Sequence, residues 1–163
     1  MRVMIKENDQ LPTGALTSKG DLGIQHYDPR EIFAKGRHII FAVPGAFTPT
    51  CSEKHLPGYV ELADAFKNKG VQSINCISVN DAFVMKAWGD ALGIGDKVRL
   101  LSDGNGAYSE ALGLANDTGA FGGIRSKRYA MVVEDGIVEH LFVEDEKQFE
   151  VSKAEYVLDK LTA

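Results

Sequence analysis

Residues 38–51 read His-Ile-Ile-Phe-Ala-Val-Pro-Gly-Ala-Phe-Thr-Pro-Thr-Cys. The first six form a compact apolar run, His38 to Val43, stopped by Pro44-Gly45, which is the pattern of a strand buried inside a sheet. Beyond the stop, Leu56, Val60, Ala63 and Phe66 recur at steps of three or four, predicting an amphipathic helix over residues 50–68. Thr50 and Glu53 have the spacing of a capping box, so Cys51 falls at the first helical position. There the unpaired N–H groups and the positive end of the helix dipole favour the thiolate, the nucleophilic form of cysteine. Pro57 sits too far into the helix to be neutral: it removes a hydrogen bond at a cost of about 3 kcal/mol, which predicts a kink and a loosened first turn.

Outward from this unit, strands and helices alternate. Residues 1–27 are rich in glycine and polar residues and are read as an arm with one or two short strands. Asp28-Pro29-Arg30-Glu31 starts a short helix to Ala34, with the cap and N1 proline in order. Lys69-Gly70 ends the long helix, and Val71 to Val79 is a second strand. Asp81 to Leu92 is helical, carrying Phe83, Trp88 and Leu92 on or near one face. Val98 to Leu101 is the third parallel strand, followed by a short helix from Gly106 to Leu112 and a glycine-rich loop from Gly113 to Gly123. Arg128 to Val133 and Ile137 to Val143 flank Glu134-Asp135-Gly136, a strong hairpin signal. Ser152 to Leu161 closes the chain as a helix. Parallel βαβ units, an antiparallel hairpin and a last helix describe an α/β, thioredoxin-like fold. It has a central mixed sheet flanked by helices, an N-terminal extension, and one domain over residues 1–163.

Composition narrows the classes. In 163 residues, 18 Lys and Arg against 23 Asp and Glu give a net charge of −5, which argues against non-specific nucleic-acid binding. The first ten residues lack a leader-type apolar segment, and no stretch approaches the roughly 20 apolar residues of a spanning helix, so a cytoplasmic protein with no membrane partner is expected. Two cysteines, Cys51 and Cys76, make no disulfide framework and read as free thiols.

The spacing Pro44, Thr48, Cys51 matches the Pro-three-Thr-two-Cys motif of the peroxiredoxins. The blocks VPGAFTPTCSEKHLPGY, SVNDAFVMKAW, RLLSDGNGA and RSKRYAMVVEDG resemble the peroxiredoxin-5-like (type II) branch in the same order, across residues 37–143. The resemblance implies thiol-dependent reduction of hydrogen peroxide and alkyl hydroperoxides, with no metal and no cofactor. Cys51 would be the peroxidatic nucleophile, passing through a sulfenic acid. Thr48 would hydrogen-bond the thiolate and the peroxide, Arg128 would hold the thiolate and the developing charge, and Pro44 would shield the site. The reductant would be glutathione with glutaredoxin, or thioredoxin, and the resemblance implies a homodimer.

Thiolate formation alone cannot supply the rate. An ordinary thiol of pKa about 8.5 is about 3% ionised at pH 7, and lowering that value to about 6 gains only about thirtyfold. Enzymes supply about a millionfold or more, so in-line placement and fixed donors must do most of it.

Several alternatives stand beside this reading. Cys76, in the middle of a predicted strand, is a small core residue or a resolving cysteine. The C-terminal resolving cysteine of some relatives is missing, because residues 77–163 contain none, which favours a one-cysteine cycle. Phe47 and Phe121 either form core or line an apolar peroxide pocket. Arg125 and Lys127 are a solvated basic loop, or Arg125 orients Arg128 or binds an acidic residue. A dithiol oxidoreductase lacks a Cys-x-x-Cys pair. A cysteine hydrolase would use His55, one helical turn from Cys51, but shows no further partner, and His55 reads as a surface or packing residue. Zinc held by Cys51, His55 and Cys76 lacks a fourth ligand. A peroxide-sensing protein, oxidised stoichiometrically, would use the same sulfenic acid.

Overall fold

Apolar alternation builds the centre of the molecule. In the computed structural model, which describes residues 3–161, strand β3 (Arg37–Ala42) points Ile39 and Phe41, with Val43 beyond it, into one core and Ile40 and Ala42 into another. Such two-faced burial requires layers on both sides of the sheet. It pairs in parallel with β4 (Val71–Ser78), which in turn pairs in parallel with β5 (Arg99–Ser102). On its other side β3 pairs antiparallel with β8 (Tyr129–Glu134), and β8 with β9 (Ile137–Val143). The β8–β9 turn places Asp135 at φ 51° and Gly136 at φ 81°, the left-handed pair that a two-residue hairpin demands.

The N-terminal segment completes the sheet instead of standing apart as an arm. Strands β1 (Leu16–Gly20) and β2 (Gly23–Tyr27) form a hairpin, and β1 joins β5 antiparallel. The seven-stranded order is β2-β1-β5-β4-β3-β8-β9. At the opposite edge residues 7–10 lie along β9: Asn8 N–H donates to the Val138 carbonyl (2.8 Å) and Val138 N–H to that of Asp9 (2.9 Å). Leu141 N–H donates to the Glu7 carboxylate (3.3 Å), and Gln10 bridges to Ile137.

Helix α1 (Pro29–Ile32) is capped by Asp28, whose carboxylate accepts from Arg30 N–H. After Cys51–His55, described below, come α2 (Leu56–Glu61) and α3 (Ala63–Asn68), so the single helix predicted over residues 50–68 is broken at Leu62. Asp81 caps α4 (Ala82–Leu92), and Gly93, at φ 61°, ends it. The short α5 (Ala107–Ala111) and the last helix α6 (Ala154–Lys160) follow the predicted placement. The glycine-rich segment is not all loop: β6 (Ala115–Asp117) and β7 (Ile124–Ser126) pair antiparallel across it. Leu56, Tyr59, Phe66, Met85, Trp88 and Val157 cover one face of the sheet; Phe33, Tyr108 and Leu112 cover the other. Among the described residues no helix is long and apolar enough to cross a membrane.

Candidate active site

The chain leaves β3 through Pro44 to Thr48 and turns into helix earlier than the capping-box reading predicts. Thr50 already has helical angles (φ −63°, ψ −38°) and makes no side-chain cap bond, while Ser52 N–H donates to the Thr48 carbonyl (2.9 Å). Helical turn therefore begins at Pro49, where a missing N–H costs nothing. Cys51 lies in the first turn, but not at its first position. Its N–H and that of Thr50 precede the first bond of the ladder, so both remain free for an anion.

Residues Cys51–His55 form a π-helical turn, closed by Leu56 N–H donating to the Cys51 carbonyl. Pro57 accounts for it. In a regular α-helix its ring would press on the carbonyl of Glu53, and the wider turn relieves that clash. Pro57 then sits in the first turn of α2, where no N–H is required. Trp88 Nε1–H donates to Ser52 Oγ (2.9 Å), tying the π turn to α4.

Two distant segments hold the preceding loop. Asn80 Oδ1 accepts from Ala46 N–H (3.0 Å) and from the Ser78 hydroxyl (2.6 Å). Arg125 Nη1–H donates to the Pro44 carbonyl (3.0 Å), and its guanidinium stacks on Phe121 at 5.5 Å. Arg125 thus neither orients Arg128 nor binds an acidic residue; it holds the loop by its backbone. Gly45 and Gly122 lie so close to Arg125 that a Cβ at either would overlap it. Phe47 takes φ 64°, a left-handed angle that costs a residue with a Cβ about 1–2 kcal/mol.

Cys51 is fully buried. Arg128, on the strand-entry side of β8, donates from Nη2 to Cys51 Sγ at 3.1 Å and from Nη1 to His55 Nδ1 at 2.8 Å. The same guanidinium lies 5.8 Å from the Phe149 ring. It enters no ion pair among the described residues, so its charge is left for the sulfur. Thr48 donates its hydroxyl hydrogen to the Gly45 carbonyl (2.6 Å). With that hydrogen committed, Thr48 Oγ1 is left as an acceptor toward the site and does not donate to the thiolate as expected.

Of the surface and packing readings of His55 the structure gives the second: the residue is buried against Phe41 and Phe149. Arginine has no acceptor, so Nδ1 must accept from Arg128 and the ring proton must sit on Nε2, which donates to the Ser152 carbonyl (3.1 Å). Burial, reinforced by the Arg128 charge, pushes the His55 pKa down to about 3. A neutral imidazole whose free nitrogen is occupied by arginine is no base for Cys51, which removes the hydrolase reading. Among the described residues no cluster of His, Cys, Asp and Glu suits a metal.

The remaining candidates are placed as follows. Cys76 is buried on β4, opposite Phe41 on β3, in the same apolar cluster as Cys51. Burial, and then the proximity of Cys51, raises its pKa well above the usual thiol value. Phe47 is 56% exposed and Phe121 84% exposed. Neither is part of the core, and Phe121 packs instead against the Arg125 guanidinium. The cavity of about 740 Å3 between β1, α4 and β5 lies away from Cys51. Sequence reasoning missed Asn80, Phe149 and the Arg128 partner His55. The four-residue spacing from Cys51 to His55 was the one usable signal.

A buried cysteine in the helical turn that follows a central strand, bonded by an arginine from a neighbouring strand and lying beside two free helix N–H groups, is a site suited to thiol chemistry on a thioredoxin-like fold. The Redoxin family profile matches residues 6–158. Peroxiredoxin-2E-2, chloroplastic, of Oryza sativa subsp. japonica is 46% identical over 163 residues, covering 96% of this chain and 72% of that protein. Among solved structures, reduced Prx3 in complex with H2O2 from Vibrio vulnificus is 50% identical with a TM-score of 0.95, covering 98% of this chain and 100% of its own. Peroxiredoxin 5 from Alvinella pompejana is more distant, at 32% identity and a TM-score of 0.84, covering 96% of this chain and 97% of its own. The chain belongs to the peroxiredoxins and is a thiol peroxidase.

Proposed function

We propose that Cys51 is the peroxidatic nucleophile and that the enzyme runs a one-cysteine cycle. The observation that carries this is the 3.1 Å bond from Arg128 Nη2 to Cys51 Sγ, made by a guanidinium with no carboxylate partner among the described residues. The Cys51 thiolate attacks the terminal oxygen of ROOH. The S–O bond forms as the O–O bond breaks, leaving Cys51 as sulfenic acid and an alkoxide that takes a proton to become ROH. Arg128 and the free N–H groups of Thr50 and Cys51 stabilise the departing charge, while Thr48 Oγ1 accepts the peroxide O–H and Pro44 covers the sulfur.

Regeneration needs a second thiol. Cys76 is buried with a raised pKa, so it stays protonated and serves as core. The reductant is glutathione with glutaredoxin, or thioredoxin. Because Cys51 is buried, the π turn must open before a protein thiol reaches the sulfur. The quoted sequence blocks support a place near the peroxiredoxin-5-like branch.

The homodimer forms on the loop face. Phe47, Phe83 and Phe121 are exposed, and the segments bearing them meet at the Pro44–Thr48 loop: Phe121 through Arg125 and Phe83 through Asn80. Peroxide consumption by wild type, Cys51→Ser and Cys76→Ser, each with thioredoxin and with glutathione plus glutaredoxin, tests the cycle. Loss only in Cys51→Ser is expected. A Cys76→Ser variant that is oxidised once by peroxide but does not turn over would make Cys76 resolving and overturn the one-cysteine reading.

A further inference from the structure

A buried histidine that the thiol chemistry does not use sits beside the one cation that it does. His55 makes no hydrogen bond to the sulfur, yet it accepts the second arm of the Arg128 fork at 2.8 Å. Its far nitrogen is fixed in turn: Nε2–H donates to the Ser152 carbonyl, which also accepts from the Tyr59 hydroxyl (2.6 Å). Ser152 is itself clamped, because one oxygen of Glu144 accepts from its N–H (2.8 Å) and hydroxyl (2.7 Å), and from Glu150 N–H (2.7 Å). The ring is wedged between Phe41 at 4.8 Å and Phe149 at 5.0 Å. A guanidinium on a flexible stem needs two fixed acceptors to hold its plane, and here one is the reacting sulfur. The other must come from elsewhere, and it is His55.

We propose that His55 is the positioning residue for Arg128: its neutral, tautomer-locked ring anchors one nitrogen of the guanidinium so that the other aims at Cys51 Sγ. The Glu144–Ser152 clamp locks the tautomer from the far side, which makes the segment joining β9 to α6 part of the machinery. The neutral acceptor holds the guanidinium without pairing its charge, which stays available to the sulfur and the leaving oxygen.

The inference rests on the assignment of Cys51 and Arg128. His55→Asn places an amide oxygen where Nδ1 was and keeps the acceptor; His55→Leu has similar bulk and no acceptor. His55→Gln carries its amide toward Ser152 and leaves Arg128 without one, and it replaces the leucine variant if that does not fold. Stopped-flow oxidation of the reduced enzyme by H2O2 should be slowed about a hundredfold in His55→Leu and in His55→Gln, the loss expected for misplacement by about 1 Å. His55→Asn should stay within about threefold of wild type. Reduction of the oxidised enzyme depends on opening of the π turn and not on the aim of the guanidinium, so its rate should not rank the variants in this order, whereas general loosening of the fold would move both rates together. Adding His55→Leu to Arg128→Ala should slow oxidation no further, since His55 acts only through the guanidinium. Wild-type oxidation by His55→Leu, equal loss in His55→Asn and His55→Leu, or additive losses in the double variant would each overturn the proposal. Full-rate oxidation by Arg128→Ala would instead overturn the assignment of Arg128.

Discussion

Taking the pH from 7 to 5 should remove about 2 kcal/mol of stability through His55. The folded state holds this ring neutral, with a pKa pushed down to about 3 by burial and by Arg128, against about 6.5 in an unfolded chain. Between those values the unfolded state binds a proton that the folded state refuses, so stability is complete above about pH 6.5 and falls as the pH drops. Each pH unit in that window is worth about 1.4 kcal/mol, and the interval from 6.5 to 5 gives about 2 kcal/mol. Urea unfolding of wild type and His55→Asn at both pH values isolates the effect. The variant starts less stable, having lost the bond to Ser152, but its loss on acidification should be smaller than that of wild type by about 2 kcal/mol, a difference of about 4–8 °C in Tm. Other acid-sensitive groups act equally in both proteins and cancel. Parallel pH dependence in the two proteins would refute the buried, neutral tautomer on which the site is built.

Thr48→Val, which removes the acceptor, should slow peroxide reduction greatly while Thr48→Ser largely preserves it; equal stopped-flow rates in the two variants would contradict the hydroxyl role. Gly45→Ala should displace Arg125 from the Pro44 carbonyl and lower kcat/KM for peroxide by about tenfold while circular dichroism stays native, since the overlapped atom is the end of a flexible side chain. Glu144→Gln weakens the acceptor of three hydrogen bonds that hold Ser152, and should cost about 1–3 kcal/mol in urea unfolding. Burial raises the Glu144 pKa, but the bonds from Ser152 outweigh it and leave it below the ordinary value. The carboxylate's contribution is therefore present at neutral pH and lost in acid, and the wild-type advantage should shrink toward pH 3.

Strands β3 and β8 were legible because burial on two faces demands unbroken apolar runs, which His38 to Val43 and Tyr129 to Val133 supply. Strand β4 mixes Gln72, Ser73 and Asn75 with its apolar residues and showed through the Lys69-Gly70 stop before it. The hairpin was legible because Asp135-Gly136 suits left-handed backbone. Ala115-Asn116-Asp117 carries no strand signal in the sequence, because only one of its three residues is apolar and its pairing depends on a partner strand across a glycine turn. The helix start differs from the capping-box expectation because the spacing of Thr50 and Glu53 is a local signal, whereas Pro57 acts on the turn before it and Pro49 offers a better start. Of the site, Cys51 and Arg128 were legible and meet as expected. Arg125 was not, because its partner is the Pro44 carbonyl and backbone acceptors have no sequence signature. The spacing of His55 showed its nearness to Cys51, but the lock on its tautomer comes from Ser152, 97 residues further on.

The strip of chain at residues 7–10 also determines how copies of the molecule can meet. A free outer strand is a template on which another chain can continue the ladder, and that is how cross-β stacks begin. Along β9 the outward N–H groups of Val138 and Leu141 already have partners in the strip. The remaining edge, β2, is five residues long, too short to hold a second chain firmly. Growth by strand addition is therefore blocked at β9 and weak at β2. A crowded solution of this enzyme should stay dispersed, and trimming the strip should turn it into one that gels.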